Sequence, residues 1–148
     1  MIYKDIEKYF KDEKGLEQLL QKYKEVFEKI NYYEGLFKDG ILSTPNETDD
    51  AMKQLGSIYS TLNVVATIAD TQKKNIEDKY FVDLRNKKIK KKKGDKVIAA
   101  VLDKESSVHV ALYRRVRNIF QAYRDSCDRL ISICQSSLKS LDKEQKAS

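Results

Sequence analysis

Leu112, Val116 and Ile119 recur eleven residues later as Tyr123, Cys127 and Leu130, and again as Cys134, Leu138 and Leu141. An apolar stripe kept over that span fits a long α-helix, because eleven residues make three turns at about 3.67 residues each. The pattern starts after Gly94-Asp95, where Asp95 can cap a helix N-terminus, and predicts a helix of roughly 40 residues, about 60 Å. Residues 142–148, which carry no apolar pattern, are expected to fray. So long a stripe needs cover along its whole length, from another long helix, from copies of itself, or from both.

A second long helix is announced by Thr44-Pro45-Asn46-Glu47. Threonine at the cap accepts a backbone N–H, proline loses nothing in the first turn, and glutamate three residues on completes a capping box. Beyond it Met52, Leu55, Tyr59, Leu62, Ala66, Ala69, Lys73, Ile76 and Tyr80 step by three and four, a heptad seam interrupted at Lys73. This helix is expected from about residue 45 to 84 or further. Upstream, Leu16, Leu19, Leu20, Tyr23, Val26, Phe27, Ile30 and Phe37 form an amphipathic helix closed by Gly40. Ile2, Ile6, Tyr9 and Phe10 suggest a shorter one before Gly15.

One proline and five glycines in 148 residues leave few turns for a many-stranded sheet. The expected fold is all-α: an N-terminal helical segment, 1–43, and a long-helix region, 44–148. Its two long helices form a hairpin or coiled-coil-like platform, expected to be homo-oligomeric through the seam Leu112, Val116, Ile119, Tyr123, Cys127, Leu130, Cys134, Leu138 and Leu141. No run approaches the roughly 18 apolar residues of a membrane span, and Met1-Ile2-Tyr3-Lys4-Asp5 lacks a signal-peptide core. A soluble, cytoplasmic protein without a membrane partner is expected.

Catalysis has little to stand on. His109 has only Glu105 nearby as an acid, at i−4, and no phosphate loop, GxGxxG or HExxH occurs. Cys127 and Cys134, seven residues apart on one helix, would hold their Cα atoms roughly 10 Å apart, too far for a disulfide, and no CxxC or second histidine offers a metal set. The reading is a non-enzyme with no cofactor and no metal, its cysteines packed as small hydrophobes.

The charge is where function shows. The net +6 is exceeded by residues 85–96 alone, whose eight cations and single acid give +7 and leave −1 for the rest. Such a block marks a localised site for a polyanion. Its cations are Arg85, Lys87, Lys88, Lys90, Lys91, Lys92, Lys93 and Lys96, preceded by Lys79 and by Tyr80 and Phe81. Lysines give salt-sensitive phosphate contacts and exposed rings stack on unpaired bases, the combination of single-strand binders. Tyr80 falls on the seam, so Phe81 is the stacking candidate. Arg114, Arg115, Arg117 and Arg124 form a second basic group with guanidinium chemistry suited to phosphates. The alternatives are a solvated run that only solubilises a structural or adaptor protein of phage-assembly or chaperone type, and a run that binds acidic lipid, an acidic partner or the nuclear-import machinery.

The order of features resembles the UvsY-type recombination mediators of tailed phages. The likeness lies in Lys79-Tyr80-Phe81-Val82-Asp83-Leu84-Arg85, Lys96-Val97-Ile98, Asp103, Val108 to Tyr113, and the run from Tyr123 to Lys139 with Cys127 near its start. It spans about residues 60–140, and Lys79 and Arg85 are the positions it carries over. The resemblance implies a non-enzymatic phage protein in the host cytosol that binds single-stranded DNA and forms ring-like oligomers. It further implies partners, a RecA-like recombinase being loaded onto strands coated by single-strand binding protein.

Overall fold

The Thr44 hydroxyl accepts a hydrogen bond from the Glu47 amide at 3.2 Å, and the Thr48 hydroxyl donates to the Thr44 carbonyl at 3.0 Å. This cap opens a helix of 46 residues. The computed structural model describes residues 2–40, 44–90 and 95–147; the side chains of Ile2, Leu84, 87–90, 95–107, His109, Gln145 and Ala147 lie outside that description. The elements are α1 (Ile2–Glu7), a 3-10 turn (Lys8–Phe10), α2 (Glu13–Lys22), α3 (Lys24–Asp39), α4 (Pro45–Lys90) and α5 (Asp95–Ala147). The fold is all-α, and α4 and α5 pack along each other as a hairpin.

The helix expected over 16–37 is two helices. Tyr23, at φ −95° and ψ 4°, separates α2 from α3 while its amide still donates to Leu19 and its carbonyl still accepts from Phe27. No glycine or proline causes the break. Tyr23 is buried and meets Phe120 of α5 edge-on at 5.3 Å between centroids, so the bend lets Leu16 and Leu19 before it and Ile30 after it all reach one core. Upstream, the Asp12 carboxylate caps α2 by accepting from the Gly15 amide at 2.7 Å. A Cβ at Gly15 would collide with the Tyr9 carbonyl, which is why this position is glycine. Gly40, at φ +68°, closes α3 in the left-handed conformation.

The α4 seam is largely as its spacing predicts. Leu55, Leu62, Ala66 and Ala69 are buried, with Val65 and Ile68 beside them. Lys73, the apparent interruption, lays its stem in the interface with its side chain 12% exposed and brings its ammonium to Glu77 at 3.4 Å.

The α5 seam is a correction. Val116, Cys127, Leu130 and Cys134 are buried, but Leu112, Ile119, Tyr123, Leu138 and Leu141 are only half-buried. Tyr113 and Phe120 occupy the interior instead. The buried positions Tyr113, Val116, Phe120, Cys127, Leu130 and Cys134, with half-buried Tyr123 among them, step by three and four, a seven-residue period that matches the heptad of α4. The partner's repeat therefore decides between the adjacent apolar pairs Leu112-Tyr113 and Ile119-Phe120. The Tyr113 hydroxyl donates to the Phe10 carbonyl at 2.7 Å, and Phe120 receives Tyr23 and Phe27, so the N-terminal helices also hold this register. The chain itself covers Val116, Cys127, Leu130 and Cys134 of the stripe. The tail is corrected too: α5 runs for 53 residues, through the segment expected to fray, to Ala147.

Candidate nucleic-acid interface

Three polar contacts cross from α5 to α4. Arg114 pairs with Glu77 at 2.9 Å, Arg117 with Asp70 at 3.4 Å, and Arg124 donates to the Asn63 side chain at 3.5 Å. Asn63, Asp70 and Glu77 lie seven residues apart, one row on the flank of the α4 seam, where coiled coils place their interhelical charges. Burial disfavours the Glu77 carboxylate, but hydrogen bonds from Arg114 and Lys73 and the charges of both outweigh it and hold its pKa below the ordinary value. The Lys74 hydrogen bond, with that of Arg117, lowers Asp70 against a smaller effect of burial.

These contacts redistribute the expected sites. Arg114, Arg117 and Arg124, read from sequence as a phosphate-binding face, turn toward α4 and are occupied there. Arg117 also donates to Asn118 and Arg124 to Asp125. Arg115 projects to the opposite flank, exposed, with no hydrogen bond or ion pair among the described residues. This acceptor row, two carboxylates and the Asn63 amide, was missed in the sequence, although its seven-residue spacing was there to find it.

The described part of the lysine block falls elsewhere, at the end of α4 and the start of α5. Lys79, Phe81 and Arg85 are exposed on the last turns of α4, Phe81 at 68%. Lys87, Lys88 and Lys90 lie on the final turn of α4 and Lys96 on the first turn of α5, and Lys91, Lys92 and Lys93 fall outside the described residues. From Glu77 to Lys90 is about 20 Å of helix at 1.5 Å per residue. Over residues 78–86 every described side chain is exposed except Tyr80, which is half-buried on the seam. The N-terminal helices meet α5 lower down, at Tyr113, Phe120 and Tyr123, so the basic segment extends beyond the body they build.

Burial raises the Cys127 thiol to about 11 and also raises Cys134, which keeps both protonated and unreactive. Among the described residues no group of histidine, cysteine and carboxylate side chains could hold a metal ion, and no helix is long and apolar enough to cross a membrane. Compared with protein-family models, curated proteins and solved structures, the chain matches none.

Proposed function

We propose that this chain is a non-enzymatic single-stranded DNA-binding protein that engages the strand with the tip of its α4–α5 hairpin and acts as a recombination mediator. The observation that supports this most is that Arg85 to Lys90 end α4 and Lys96 lies in the first turn of α5, with Phe81 exposed four residues before Arg85. Lysines there neutralise phosphates and release counterions, and the Phe81 ring offers a face to an unpaired base. The paired arginines stabilise the platform and take no part in this reading. The resemblance to UvsY-type proteins supplies the biological role: loading a RecA-like recombinase onto DNA covered by single-strand binding protein. Self-association belongs to the proposal through avidity, since several weak tips on one strand bind far more tightly than one; of the α5 seam, Val116, Cys127, Leu130 and Cys134 are buried within the chain, and Leu112, Ile119, Leu138 and Leu141 keep apolar surface exposed.

Fluorescence anisotropy with labelled oligo-dT tests this reading. Submicromolar binding at low salt, with log K falling steeply against log salt, is expected. No binding at about 50 mM salt contradicts it and leaves the hairpin as a structural or adaptor element.

A further inference from the structure

Beside the arginine row, on the other flank of α5, lies a hollow of about 510 Å³ between α2, α3 and α5. Phe27 and Tyr123 form one wall, their rings stacked at 4.2 Å and 13°, and the Tyr123 hydroxyl accepts from the Asn31 amide. Leu20, Leu112 and Ile119 supply the aliphatic lining, each half-buried, so apolar surface remains open to a ligand. Two cations, Lys24 and Arg115, stand on the rim with Glu17 as the single acid. Neither cation has a hydrogen bond or ion pair among the described residues, whereas each neighbouring arginine of α5 in the hairpin interface does.

We propose that this hollow is a docking site for an acidic peptide segment of another protein, which seats an apolar side chain on Leu20, Phe27 and Ile119 and pairs its carboxylates with Lys24 and Arg115. The charge selects among occupants. A second copy placed by a twofold axis would bring four cations against two carboxylates, whereas an acidic segment meets both cations at the cost of one repulsion with Glu17. Nucleic acid fits poorly, because the aromatic pair stacks on itself, the other apolar side chains of the lining are aliphatic, and Glu17 on the rim repels a phosphate. Arginine beside an exposed apolar or aromatic anchor site is a common composition for the centre of a protein interface. The hollow lies about 30 Å along α5 from its first turn, counted from Asp95 to Arg115, so it and the basic tip can be occupied at once. The inference does not depend on what the tip binds.

The test uses the full chain and a fluorescein-labelled 14-residue helical peptide with Leu and Phe on one face and Asp and Glu elsewhere; a second peptide carries Lys for every acid. Arg115→Glu and Glu17→Lys are both at exposed positions, and circular dichroism checks that their helix content is unchanged. The acidic peptide is expected to bind at least tenfold more tightly than the basic one. Arg115→Glu should weaken it tenfold or more, Glu17→Lys should tighten it several-fold, and saturating oligo-dT should not displace it. Equal affinity for the two peptides, no effect of Arg115→Glu, or displacement by oligo-dT would overturn the proposal. So would a Glu17→Lys variant that binds the peptide less and, in sedimentation velocity, loses a dimer formed by the wild type, because that result assigns the hollow to a second copy.

Discussion

Arg114 and Glu77 stand 37 residues apart in the chain and 2.9 Å apart in space, linking α5 to α4 beside their apolar seam. The pair is partly exposed, 48% at Arg114 and 29% at Glu77, so its worth is that of a surface bridge, about 0.5–1 kcal/mol. A double-mutant cycle of Arg114→Ala and Glu77→Ala in urea unfolding should return a coupling in that range. Zero coupling would mean the pair follows the register without helping to set it.

Acid should loosen the same contacts. Asp70 and Glu77 sit below their ordinary values of 3.8 and 4.5 in the folded chain. Their stabilisation is therefore present above those values and is lost as pH falls through the lower folded ones. The melting temperature should hold between pH 7 and 5 and drop below about pH 4. An Asp70→Asn, Glu77→Gln double variant should start lower at pH 7 and show a shallower drop.

The heptad on α5 is tested by neighbours in sequence. Phe120 is fully buried and Ile119 half-buried. Phe120→Ala should cost about 3–5 kcal/mol, and Ile119→Ala about 1 kcal/mol, in chemical denaturation. The reverse order would restore the eleven-residue stripe as the inward face.

That contrast shows where the sequence was legible. The cap at Thr44, the α4 seam and the all-α class could all be read, because capping chemistry and a single unambiguous apolar period point the same way. On α5 two adjacent apolar columns compete, and nothing local to that helix chooses between Leu112 and Tyr113. The choice comes from Phe10 and from the repeat of α4, which are tertiary facts. The bend at Tyr23 was invisible for the same reason: its cause is Phe120, 97 residues away in sequence. The charge of the lysine block can be counted without knowing the packing, whereas the partners of Arg114, Arg117 and Arg124 lie on another helix and only Arg115 of that group is left exposed and unpaired among the described residues.

Two glycines give a paired prediction. Gly15→Ala would push a Cβ into the Tyr9 carbonyl and should destabilise by about 1–3 kcal/mol. Gly35, inside α3 with open space around its Cα, should gain about 0.5–1 kcal/mol as alanine. Thermal shift measurements on both variants decide this.

The proposed role of the hairpin tip is tested most directly by comparing salt slopes for oligo-dT binding in two variants. Replacing Lys90, Lys91, Lys92 and Lys93 with alanine should reduce the magnitude of the slope of log K against log salt by about 3, at roughly 0.7 per phosphate contact. Replacing Arg117 and Arg124 with alanine should leave it unchanged. A slope that survives loss of the four lysines and falls with the two arginines would contradict the account.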